Sequence, residues 1–139
     1  MAEKPEVRLE ELPEERFQEY LDIFNKARNE GTLGNALPPK TIGQMKRWKK
    51  TGTTFFLIRN KSEYEEIKVD ALVGACGVSR GRLLKRRFQL INQYILPKYQ
   101  KKGFSESMLN EQEIFALKAR PKTLFAFLYY FDKAQYNRF

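Results

Sequence analysis

The sequence predicts one mixed α/β domain over residues 1–139, and three observations carry that reading. The run 14–29 repeats its apolar residues at helical spacing. The runs 53–59, 67–79 and 83–96 are rich in β-branched and aromatic residues, the composition of strands. The apolar stretch 88–96 then passes through a turn bearing lysines and a glycine into a second helical pattern that begins near Ser105.

Val7, Leu9 and, after a break, Leu12 mark a short first strand. Pro13 opens the first helix, in which Phe17, Tyr20, Leu21, Phe24 and Ala27 share a face and Glu14 and Glu15 sit at the favourable N-terminal end. The turn-rich run 30–40, with Gly31, Gly34, Asn35, Pro38 and Pro39, cannot continue that helix. Thr41 caps a second helix carrying Ile42, Met45 and Trp48 and ending by Gly52. A strand over 53–59 and a charged turn over 60–66 follow. The next strand, 67–79, contains Gly74 and Gly77, which suggest a bulge or a close backbone approach. After the turn Arg80, Gly81, Arg82 comes the strand 83–96, and then a helix over 105–119 built on Met108, Leu109, Phe115, Ala116 and Ala119. Its stripe is weakened by Asn110, Glu111 and Gln112. The apolar run 123–131 reads as a buried strand parallel to the one ending at Leu96, and 132–139 as the start of a further helix.

Lys and Arg number 26 against 17 Asp and Glu, a formal charge of +9 that favours anionic partners without choosing among them. The single cysteine, Cys76, excludes an internal disulfide framework and suits a reducing compartment; in an apolar strand it reads as a buried, inert thiol. The N-terminus lacks a secretory pattern and no run is long enough to cross a membrane, so the expected location is cytoplasmic, with no membrane partner. There is no histidine at all. Histidine-based triads, dyads and metal sites are therefore excluded, no spacing supports a metal, and a P-loop is absent.

The turn between the strand and the third helix is the most informative chemistry. A helix entered through a glycine turn points its first free amides and its positive dipole end at the turn, where a phosphate is stabilised. Gly103 permits close backbone approach, and Lys98, Lys101 and Lys102 can meet phosphate charge. Gln100, Gly103 and Ser105, preceded by Pro97 and Tyr99, resemble the pyrophosphate-binding segment of the GNAT superfamily, the N-acyltransferases that use acetyl-CoA. Ser105 departs from that family's usual glycine or alanine but is small and a good N-cap. The order of strand, two helices, three strands, helix and strand is also that family's order.

The resemblance implies a GNAT-like mixed sheet with helices on both faces, acetyl-CoA as acyl donor, and an amine acceptor that attacks the thioester directly. Tyr94, Ile95 and Leu96 would offer backbone groups to the pantetheine arm and acyl carbonyl, while Gln100, Lys101, Lys102, Gly103, Phe104 and Ser105 would hold the pyrophosphate. The first two helices and their loop would cover the acceptor side. Tyr136 would be the general acid, and Glu63, Glu65, Glu66 and Asp70 are acidic residues near a strand that can be weighed as bases or as surface charge. The family's final strands have no counterpart here, so the resemblance implies a short or missing C-terminal part, completed by another chain or not. An incomplete sheet edge would favour a homodimer.

A second reading, without catalysis, is a basic nucleic-acid-binding or degenerate GNAT-like interaction protein. It rests on Arg80, Arg82, Lys85, Arg86 and Arg87, a cationic hairpin suited to nucleic-acid phosphates or an acidic protein surface. The aromatic residues of 125–131 would add stacking surfaces, although core packing is the usual fate of such a run.

Overall fold

A computed structural model describes residues 4–34, 36–80 and 88–118, with the Arg80 side chain outside that set. Four strands, β1 (Val7–Glu11), β2 (Thr54–Asn60), β3 (Leu72–Arg80) and β4 (Phe88–Ile95), pair antiparallel in the order β1-β2-β3-β4. Helices α1 (Phe17–Glu30) and α2 (Ile42–Lys50) cover one face of the sheet, and α3 (Phe104–Lys118) covers the other. The parallel strand expected over 123–131 and the helix expected over 132–139 lie outside the described residues.

The two layers follow from the alternation of β2. Phe55 and Leu57 meet Phe17, Tyr20, Leu21, Phe24 and Met45, whereas Phe56 and Ile58 meet α3 through Met108, Leu109 and Ala116. A central strand buried on both faces reads as a continuous apolar run, which is how Phe55 to Ile58 appears in the sequence. Rings dominate the α1 side: Tyr20 packs on Phe24 and Phe55 at centroid distances of 4.8 and 5.0 Å, and Phe24 on Tyr94 at 5.6 Å.

α1 begins one turn later than the sequence suggests, because residues Glu14–Arg16 form a 3-10 turn behind Pro13. It stops where expected. Gly31 takes a left-handed φ of 71°, the Thr32 amide donates to the Ala27 carbonyl at 2.9 Å, and the Gly31 amide to Arg28 at 3.3 Å. That closing pair of bonds is a Schellman cap, which glycine adopts without a Cβ penalty. Thr41 caps α2 as its side-chain oxygen accepts the Gln44 amide at 3.0 Å, while the Gln44 side chain accepts the Lys40 amide at 2.7 Å.

Two further boundaries differ from the sequence reading, and a third falls partly outside the described residues. β3 starts at Leu72 rather than 67, because 61–71 is a connection organised by the buried Asn60. The Asn60 side-chain amide donates to the carbonyls of Ile67 and Lys68 at 3.1 and 3.0 Å, and its backbone carbonyl accepts the Asp70 amide at 2.8 Å. The described part of the following strand is Phe88–Ile95, since 81–87 lies outside the described residues. α3 starts at Phe104, so Ser105 stands inside the first turn instead of capping it.

The glycines of β3 do what their positions imply. A Cβ at Gly74 would stand 2.1 Å from the Tyr94 carbonyl oxygen, so the backbones of β3 and β4 touch there. Ala75 faces Tyr94 while Gly77 faces Ile91, which leaves Asn92 and Gln93 opposite Cys76 alone. The result is a bulge in β4, with Asn92 in the left-handed region at φ 54°.

Candidate functional site

Past the bulge, Tyr94 and Ile95 end β4, a 3-10 turn Pro97–Tyr99 redirects the chain, and the turn Gln100 to Gly103 delivers it into α3. Two left-handed residues shape that turn, Lys101 at φ 63° and Gly103 at φ 97°. A cleft of about 380 Å³ opens between the strand end and the start of the helix. Of the residues expected to hold a cofactor, Ile95, Gln100, Lys101, Gly103, Phe104 and Ser105 line it; Tyr99, Glu106 and Leu109 complete the wall.

The amides of Lys101, Gly103, Phe104 and Ser105 find no acceptor among the described residues. Together with the positive end of the α3 dipole they form an array of N–H donors at the cleft. An anion is the ligand that such an array stabilises most. Glu106 in the first turn suits the helix dipole and opposes a bound anion, so the site is electrostatically divided.

The side chains around the array are partly engaged. Gln100 turns back, its amide nitrogen donating to the Ile95 carbonyl at 2.9 Å, and so braces the strand end against the turn. Lys102 is ion-paired with Glu65 at 3.1 Å across the surface, and Lys98 lies 5.0 Å from the centre of the Tyr99 ring. Lys101 is exposed and has no ion-pair partner among the described residues. At the strand end, the Leu96 amide donates to the Val73 carbonyl at 2.8 Å and the Leu96 carbonyl accepts the Tyr99 amide at 2.8 Å. With the Ile95 carbonyl held by Gln100, the strand end has its Leu96 amide, its Leu96 carbonyl and its Ile95 carbonyl already engaged.

Tyr94 points its ring to the α1 face, where its hydroxyl and the Thr32 hydroxyl are 2.7 Å apart. The Schellman cap of α1 thus presents Thr32 to the strand that ends at the cleft. Beneath it, the fully buried Tyr20 hydroxyl lies beside Asn92 without a well-formed hydrogen bond. Burial pushes that phenol well above its ordinary pKa, Cys76 adds to the rise, and Asn92 opposes it. Cys76 is buried and its thiol is raised by burial, which removes the thiolate a nucleophile would need.

Of the four acidic residues weighed as bases, Glu65 is drawn to Lys102 in the turn after β4, and the other three are exposed. Tyr64, Glu65, Glu66 and Ile67 form a tight turn closed by reciprocal backbone bonds of 2.8 and 3.2 Å, and Glu63 is exposed beside it. Asp70 pairs with Arg8 at 3.0 Å. Tyr136, Arg82, Lys85, Arg86 and Arg87 lie outside the described residues, as does the Arg80 side chain.

Sequence reasoning missed four parts of this arrangement. Asn92, a residue type that tolerates left-handed backbone, was the available signal for the bulge. Glu65 reaching Lys102, Tyr64 packing edge-on to Phe104 at 6.3 Å, and Pro5 lying where a Gly103 side chain would go at 3.2 Å are long-range contacts with no local signature.

No family model and no curated protein matches the chain. Among solved structures it is similar to mutant forms of the spermidine/spermine N-acetyltransferase SpeG from Vibrio cholerae, with 16% identity and a TM-score of 0.50 over 81% of this chain and 63% of that one. An acetyltransferase from Thermus thermophilus aligns with 18% identity and a TM-score of 0.46 over 76% of this chain and 66% of that one. The chain thus spans less than two thirds of the length of the Vibrio cholerae enzyme. At such identities the likeness concerns the arrangement of the elements.

Proposed function

The chain has a GNAT-like fold, and from that premise we propose that it transfers an acyl group, acetyl in the first instance, from acyl-CoA to an amine. The observation that carries this reading is the set of free amides of Lys101, Gly103, Phe104 and Ser105 opening on the cleft beside the end of β4. That array suits the CoA pyrophosphate, with Lys101 as the unpaired cation beside it. The pantetheine arm would run along Tyr94 and Ile95, whose backbone is set by the bulge, and an N–H aimed at the thioester oxygen would stabilise the oxyanion. Attack by the neutral amine forms the C–N bond and expels CoA thiolate; one proton leaves the amine and one reaches the sulfur. Tyr136 is the proposed donor of the latter.

Acetyl-CoA binding measured by calorimetry tests this reading, with Ser105→Glu as the variant. A carboxylate in the first turn suits the helix dipole, so the fold should persist while the pyrophosphate is repelled. Binding by the parent and at least a tenfold loss in the variant is the expected result. Absence of binding by the parent overturns the proposal. Gly103→Glu is a poorer probe, because the left-handed backbone and Pro5 both resist a side chain there.

A further inference from the structure

A second surface, remote from the cleft in its chemistry, carries its own charge pattern. From Gly31 to Ser62 the sequence contains no Asp or Glu, and α2 with its N-terminal flank concentrates the cations of that tract: Lys40, Lys46, Arg47, Lys49 and Lys50. All five are exposed. None has an ion-pair partner among the described residues, although Arg8, Arg16, Arg59 and Lys102 all do. Lys49 leans over the Phe17 ring at 5.9 Å, at the edge of the buried face defined by Met45. At 100° per residue, Lys46, Arg47 and Lys50 fall on the opposite, solvent side together with Gly43.

Gly43 sharpens the pattern. It sits in the first turn of the helix, where glycine is still less favourable than alanine. A Cβ there would meet nothing closer than 3.8 Å, so packing does not require the glycine. Its absent side chain leaves the backbone open between the cations.

We propose that this face of α2 binds the phosphate backbone of a nucleic acid. A protein partner would need apolar or aromatic anchors to supply affinity. The large exposed apolar residues, Leu37, Val69, Ile114 and Leu117, are all off α2, and its own Ile42 and Trp48 are half-buried, with Trp48 stacked on Phe55 at 6.3 Å. Unpaired cations on a rigid helix without anchors match a ligand bound by charge, released counterions supplying the affinity. The inference is independent of acyl transfer.

The test is titration of a fluorescein-labelled poly(U) strand at several salt concentrations. The parent is compared with Lys46→Gln/Arg47→Gln/Lys50→Gln and with the charge-matched control Lys26→Gln/Lys61→Gln/Lys68→Gln, all checked for folding by circular dichroism. The α2 variant should bind at least tenfold more weakly at low salt, and its log–log salt slope should fall by about 2, close to 0.7 per lost phosphate contact. The control should keep the parent's slope. Equal losses in both variants would mean that net charge alone binds the strand. An unchanged α2 variant would move binding to other basic residues such as those of 80–87. Failure of the parent to bind poly(U), with α2-dependent binding to anionic phosphatidylserine vesicles instead, would assign the face to a membrane surface. Each of these three results overturns the proposal.

Discussion

Glu65 and Glu66 occupy the two central positions of the Tyr64–Ile67 turn at φ 52° and 79°, a left-handed pair ordinarily reserved for Asn-Gly. Two glutamates there are strained, so Glu66→Gly should stabilise the protein by about 1 kcal/mol, read as a higher urea midpoint. A lower midpoint would show that the Glu66 side chain has a stabilising role that its exposure conceals. Glu65 has a counterweight, because its carboxylate holds Lys102 at 3.1 Å beside the amide array. Exposed pairs of this kind contribute at most about 1 kcal/mol. If acetyl-CoA is the ligand, Glu65→Gln should free Lys102 and tighten binding by up to about fivefold, the equivalent of that ~1 kcal/mol. Weaker binding in that variant would instead mean that the ion pair shapes the cleft.

At the level of elements, α3 is fastened to the sheet by a polar residue that its apolar stripe gives no reason to expect. Gln112 is fully buried and donates to the Gly77 carbonyl at 2.8 Å, next to the β4 bulge. Its side-chain oxygen has no partner among the described residues, so the contact is a pin at one atom. Gln112→Ala would leave the carbonyl unpaired and open a void, and should lower stability by about 2–3 kcal/mol in urea unfolding. A change below 0.5 kcal/mol would show that water replaces the amide. The second fastening is the contact of β3 with β4 at Gly74. With 2.1 Å available, Gly74→Ala must separate the strands, at a cost of about 3 kcal/mol or more, and the displaced Tyr94 backbone should weaken acetyl-CoA binding as well. Calorimetry on the folded fraction separates the two effects.

Across the whole molecule, charge is unevenly shared: the acid-free tract leaves α2 positive, while Glu10 joins Arg16 and Arg59 at 3.3 Å each to tie β1, β2 and the entrance to α1 together. Burial tends to raise the Glu10 pKa, but the two guanidiniums outweigh it and hold it below the usual carboxylate value; Arg16 does the same to Glu19. A depressed folded pKa stabilises above the unfolded value, near 4.3 for glutamate, and that contribution is lost as pH falls through the folded value. The melting temperature of Glu10→Gln should accordingly lie below the parent's at pH 7, and the gap should close as the pH drops below about 4. A gap that persists into acid would mean that packing, and not ionisation, explains the variant. Among the described residues no helix is long and apolar enough to cross a membrane.

The sequence by itself determined the elements whose signals are local. The spacing of Phe17 to Ala27 made α1, Gly31 ended it, Thr41 started α2, and the β-branched and aromatic run through Phe55 to Ile58 announced a strand. It also marked the loop at Gln100 to Ser105, because a glycine turn before a helix exposes amides whatever surrounds it. Only the tertiary structure decided which groups in that loop remain free. Lys102 is taken by Glu65 from a turn 37 residues away, Gln100 by the Ile95 carbonyl, and the Leu96 amide by Val73, while Lys101 and the amides stay open. Gln112 looked like a flaw in its helix because periodicity records which face a residue occupies and not which carbonyl waits there. Hydrogen bonds and ion pairs between distant segments depend on register and bulges, and those arise from the packing of the whole sheet.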